Sequence, residues 1–145
     1  MTSSTLSLAG TDKDVRDAAL HYWSSFGWPV RTSYTEVLLT LQRDMLAVVM
    51  DIDRGGPLLR ELEAAGSRGC VLSLRGNGEP WWAFLITAPE PRRVATPPGV
   101  WVLSEGTDLP LPQGSIPANG VGWIREPISG GTLFDGDLLL DTAAA

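Results

Sequence analysis

Two carboxylates stand one residue apart at the end of an apolar run, Leu46-Ala47-Val48-Val49-Met50-Asp51-Ile52-Asp53, and Arg54-Gly55-Gly56-Pro57 follows. An apolar run of this length, closed by Gly-Gly-Pro, predicts a buried central strand. Alternate side chains of a strand share a face, so Asp51 and Asp53 are expected side by side, with Cα atoms roughly 7 Å apart. Such a pair could grip one divalent cation, weakly magnesium or manganese, or hold a proton between like charges for general acid–base work. The plainer alternative is that both are polar residues where a strand leaves the core.

The surrounding pattern predicts the elements that would carry this pair. Thr11-Asp12-Lys13-Asp14 resembles a capping box and opens a helix to about Ser25. Val15, Ala18, Ala19, Tyr22, Trp23 and Phe26 form its apolar face, and Gly27 ends it. His21, the only histidine, is expected to meet Asp17 on the solvated side, which leaves little for a nucleophilic triad. The Val/Leu-rich stretch Glu36 to Leu41 reads as a strand leading, through Arg43-Asp44, into the central run. A second helix is expected from Pro57 to Ala65, with Leu58, Leu59 and Leu62 inward and Gly66 as its stop. Cys70 to Leu74 follows as a strand, which makes a βαβ-like unit. After the turn Arg75-Gly76-Asn77-Gly78-Glu79-Pro80, a strand from Trp81 to Thr87 places Trp82, Phe84 and Ile86 on one face and Trp81, Ala83 and Leu85 on the other. Val100 to Ser104 and Gly122 to Arg125 read as short strands, and the prolines of Leu109-Pro110-Leu111-Pro112 restrict that segment to an edge.

At 145 residues, 43% hydrophobic and 19% charged, the chain suits one globular domain. The expected limits are a flexible N-terminus over 1–10, a single domain over 11–141 and a flexible tail over 142–145. No apolar run reaches the ~20 residues of a membrane span, and the N-terminus lacks the basic end and apolar core of a signal peptide. Cys70 is the lone cysteine and sits in an apolar run, which fits a buried thiol and a cytoplasmic location. The net charge of −6, with Lys13 the only lysine, counts against tight nucleic-acid binding.

The order of these features resembles the bifunctional primase/polymerase N-terminal domain of the archaeo-eukaryotic primase superfamily. The resemblance covers about Ala18 to Pro127. It is carried by Phe26-Gly27-Trp28-Pro29-Val30, by the strand ending in Asp51-x-Asp53, by Gly76-Asn77-Gly78-Glu79-Pro80 before an aromatic strand, and by Gly99-Val100-Trp101-Val102. It implies an α+β domain, mostly antiparallel sheet with two principal helices. It also implies that Asp51 and Asp53 are metal carboxylates. A His that contacts phosphates is expected where Trp81 stands, and a third Asp where Trp101 stands. Indole supplies no metal ligand. Glu105 has the strand parity of Trp101 but lies ~13 Å further along an extended strand, too far for the same cation.

The resemblance therefore implies a site that has stopped polymerising nucleotides. Trp81 and Trp101 are expected either to line or to fill the space beside the Asp pair, with Arg75 and Glu105 completing a ligand-binding set. The occupant would be a small molecule or a protein partner, with no resident cofactor. As an alternative, Asp51 or Asp53 would act as catalytic acid or base on a small apolar substrate. That requires the indoles to exclude water from at least one carboxylate, Asp51 being the deeper. A working primase ranks last.

Overall fold

The computed structural model describes residues 12–33, 36–75, 80–90, 96–113, 121–128 and 133–144. The N-terminus over 1–10, the Thr11 cap, the glycine-rich turn over 76–79, residues 91–95 and Ala145 lie outside the described residues. The chain is a single α+β domain of antiparallel sheets and helices.

Helix α1 (Asp12–Phe26) buries Val15 and Tyr22 and half-buries Ala18, Ala19 and Phe26. Gly27, at φ +69°, turns the chain out of it, and its N–H donates to the Trp23 carbonyl at 2.8 Å. Trp23 does not join the apolar face and is 62% exposed. It lies about 100° round the helix from Tyr22, and Tyr22 and Phe26 already fill the inward side. Strands β1 (Val30–Ser33), β2 (Glu36–Thr40) and, later in the chain, β7 (Asp108–Leu111) make a three-stranded antiparallel sheet in the order β1-β2-β7. Pro110 falls on its edge strand, opposite Leu38, where a missing N–H is tolerated.

The larger sheet holds the candidate site. It is built from β3 (Met45–Asp51), β4 (Val71–Arg75), β5 (Pro80–Thr87), β6 (Trp101–Leu103) and β8 (Gly122–Arg125), in the order β6-β3-β5-β4-β8. Helix α2 (Ile52–Ala64) joins β3 to β4, and β5 enters between them antiparallel to both, which makes a split βαβ unit. Period-two alternation divides the strands as their sequence predicts. Val48, Met50, Phe84 and Ile86 pack against Leu58, Leu59 and Leu62 of α2 and Leu139 and Leu140 of helix α3 (Gly136–Ala144). Ala47, Leu72, Ala83 and Leu85 face the other way, toward Val37, Leu39, Leu109 and Leu111 of the small sheet and Val15 and Tyr22 of α1.

Two helices differ from expectation. Helix α2 starts at Ile52, directly after β3, so Gly55, Gly56 and Pro57 lie inside it. Asp51 starts it by capping, and Gly55 serves close packing: a Cβ there would stand 2.9 Å from Trp82 Cε3. Pro57 therefore has a cost after all, because it brings no N–H to the Asp53 carbonyl one turn back. The helix does end as expected, with Gly66 at φ +83° and the Ser67 N–H on the Leu62 carbonyl at 2.9 Å. Helix α3 takes in the Leu138-Leu139-Leu140 run and continues to Ala144, past residue 141 where the sequence pattern closes the domain. Among the described residues, no helix is long and apolar enough to cross a membrane.

Candidate functional site

Register decides which candidate residues meet. Asp51 is the last residue of β3 and pairs with Trp81 of β5, while Val49, two residues earlier on the same face, pairs with Trp101 of β6. Asp51, Trp81 and Trp101 therefore project from one face at one end of the five-stranded sheet. The two indoles lean across β3 and touch edge to face, with ring centroids 5.5 Å apart and planes at 65°. They meet each other on the face of half-buried Val49, so the surface they offer among the described residues is their outer side. Trp81 is half-buried and Trp101 is 53% exposed.

Asp53 does not share a strand face with Asp51, because the strand has ended and Asp53 lies in the first turn of α2. Asp51, at φ −74° and ψ 170°, is the N-cap of that helix, and its Oδ1 accepts the Arg54 backbone N–H at 2.9 Å. Both carboxylates sit at the positive end of the α2 dipole, which accounts for a good part of their presence. Both are also exposed, so the water exclusion on which acid–base catalysis was expected to rest is missing.

The remaining candidates scatter. Arg75 ends β4 opposite Pro80, at the same end of the sheet but on the face of Trp82. Glu105 lies beyond the far end of β6, which runs antiparallel to β3, and faces Arg43 at 3.7 Å. Its parity matched that of Trp101, but the strand carries it away from Asp51. Arg54 carries no motif, yet its side chain reaches the loop that leads into Trp101: a Cβ on Gly99, which sits at φ +81°, would stand 3.3 Å from Arg54 Nε. The signal for it was its position three residues after the cap, on the first turn of the helix.

The chain matches no protein-family model, no curated protein and no solved structure. The functional reading accordingly rests on the geometry. A pair of magnesium or manganese ions does not fit the residues present. Two-metal chemistry needs several oxygen ligands in convergent positions. Asp51 already caps a helix, Asp53 belongs to another element, and Trp101 occupies the neighbouring strand position. Among the described residues no three His, Cys, Asp or Glu side chains gather as a metal-binding group. What the face offers is an aromatic pair beside a carboxylate whose Oδ2 takes no bond from the described residues. That combination can hold a flat or alkylated cation through its charge and the indole π-face.

Proposed function

We propose that this chain is a primase/polymerase-like domain that no longer joins nucleotides, and that it acts in the cytoplasm as a ligand- or partner-binding module through the Trp81–Trp101–Asp51 face. One observation carries the reading. Asp51 and the positions at which the resemblance expects a His and a third Asp share one sheet face, Asp53 standing apart on α2, and the latter two positions carry indole. The ligand group that fits is flat or methylated, apolar in body and positively charged, set against the indoles with its charge toward Asp51. Catalysis by Asp51 or Asp53 is the weaker reading, because both side chains stand in water. Nucleic acid is disfavoured by 17 acidic against 11 basic residues.

Two measurements test this. Primer extension with magnesium or manganese should give no incorporation above an Asp51→Asn, Asp53→Asn control, and template-dependent extension would sink the proposal. Benzyltrimethylammonium should shift the indole N–H resonances of Trp81 and Trp101 saturably, in the millimolar range expected of an exposed cation–π contact. Neutral benzyl alcohol should not. Asn caps a helix as well as Asp, so Asp51→Asn removes the charge while keeping the fold. Equal responses to the cation and the alcohol, or binding untouched by Trp101→Ala, would refute the assignment of this face.

A further inference from the structure

The opposite edge of the five-stranded sheet, at β8, carries a separate feature. A cavity of about 710 Å³ opens between α1 and the β8 end of the sheet. That is the size of a small-molecule site. Its inner walls are the rings of Tyr22, Phe26 and Trp123. These rings are fixed in place. Tyr22 stacks on buried Trp28 with centroids 5.7 Å apart and planes at 8°. Its hydroxyl donates to the Pro112 carbonyl at 2.7 Å and accepts the Trp123 Nε1–H at 3.1 Å. Phe26 packs against Trp28 at 5.1 Å. A ligand entering here meets walls already held by the core, so little is lost in ordering them.

The mouth of the cavity is acidic. Asp14, Asp17 and Glu126 line it, and among the described residues no Lys or Arg does. Asp17 meets Lys13 at 3.3 Å, but both side chains are largely exposed, so that pair neutralises little. Glu126 stands close enough to Tyr22 that its charge adds to the rise in the Tyr22 pKa, a minor part beside desolvation. His21 also lines the cavity, edge-on to Phe26 at 5.7 Å and within 3.4 Å of the Ser25 hydroxyl. Flat apolar walls below and negative charge above select a molecule that is a ring at one end and a cation at the other.

We infer that this cavity binds an arylalkylamine, the ring against Tyr22 and Trp123 and the protonated amine toward Asp14 and Glu126. This site is separate from the Trp81–Trp101 face: Trp101 stands on β6, the edge strand opposite β8, and Trp81 on β5, the middle strand. The test uses the intact chain and follows the Trp123 indole N–H resonance. Phenethylamine is the probe, and 3-phenylpropionate is the control of the same shape and opposite charge. Phenethylamine should shift the Trp123 signal saturably, and 3-phenylpropionate should not at equal concentration. Glu126→Gln and Asp14→Asn, both at exposed positions, should each weaken the amine about threefold to fivefold, the size of one partly screened charge pair. Ser25→Trp, also exposed, should block the cavity and abolish the shift, while Trp101→Ala should leave it unchanged. Equal binding of the acid and the amine would overturn the proposal. So would an unmoved Trp123 signal, full binding by the Ser25→Trp variant, or loss of binding on Trp101→Ala.

Discussion

Replacing Tyr22 by Phe removes one oxygen that ties three segments together. The hydroxyl of this 5%-exposed residue donates to the Pro112 carbonyl at 2.7 Å and accepts the Trp123 Nε1–H at 3.1 Å. Pro112 is buried, and among the described residues the hydroxyl is the side-chain partner of its carbonyl, so the loss costs about 1–3 kcal/mol. Trp123 is only half-buried, and water can reach its N–H, so its share is smaller. The variant should be less stable by roughly 2 kcal/mol at pH 7, with an unchanged denaturant slope, in urea unfolding followed by far-ultraviolet circular dichroism. The pH dependence adds a second arm. Burial, partly opposed by the Trp123 hydrogen bond, pushes the Tyr22 hydroxyl from 10.0 up to about 12. Between those values the unfolded chain releases this proton and the folded chain keeps it, so stability falls as pH rises through the interval. The full loss is on the order of 3 kcal/mol, complete only when the folded hydroxyl also ionises. Phe has no such proton. The gap between the two proteins should be constant below pH 10 and close as pH approaches 12. A gap that stays constant through that range would show that the hydroxyl is not held in the core as described.

Burial also pushes the Cys70 thiol up to about 12, so a thiol reagent at pH 8 should label the folded protein only as fast as it unfolds. Prompt labelling in the absence of denaturant would contradict the packing of β4. Two glycines should respond with opposite signs in thermal unfolding. A Cβ on Gly69 would lie 2.7 Å from the Phe134 backbone nitrogen, so Gly69→Ala should cost about 2 kcal/mol or more. On Gly56 the nearest heavy atom is Arg60 Nη1 at 3.9 Å, so Gly56→Ala should add about 0.5–1 kcal/mol of helix stability. Arg125 grips Glu63 through two bonds, at 2.7 and 3.1 Å, and the hydrogen bond holds the Glu63 carboxyl below its usual range. That stabilisation is present above the ordinary glutamate pKa and is lost as pH falls through the lowered one. The pair is partly exposed, so Arg125→Ala should cost about 1 kcal/mol or less at pH 7 and nothing in acid, which comparative urea melts at both pH values would check.

The strands were legible because burial writes itself into them with period two. Trp82, Phe84 and Ile86 face the helices, and Ala83 and Leu85 face the small sheet, as alternation requires. The edge position of β7 was legible because proline cannot donate to a ladder. The start of α2 was misread because Gly-Gly-Pro normally breaks a helix, and only the contact with Trp82 explains why glycine is wanted there. Trp23 was misread because an apolar residue flanking a helical stripe looks like part of it. At the site, Asp51, Trp81 and Trp101 come together through register alone, which strand parity could anticipate. Glu105 was lost to strand direction, which parity does not encode. The Tyr22–Trp123 bond joins residues 101 apart in sequence, and no local pattern announces such a pairing.

The exposure of Trp101 bears on whether the indoles fill an emptied site or present a surface. An indole whose whole role is to occupy space should bury as Trp28 does, at 4% exposure, with Tyr22 stacked on it. Trp82 comes part of the way, half-buried beneath Gly55. Trp101 keeps 53% of its surface in water on a strand of three residues at the sheet edge. A Trp side chain can bury about 200 Å², so roughly half of that, worth on the order of 2–3 kcal/mol, goes uncollected by the fold. A single exposed apolar residue would need no explanation. This one is braced edge-on by Trp81, which restricts its rotamers, and stands beside a carboxylate with one oxygen unbonded among the described residues. Ordering an exposed ring costs conformational entropy that packing alone does not return here. A ligand or partner laid over the ring would return it, and would also collect the apolar area that the fold leaves open.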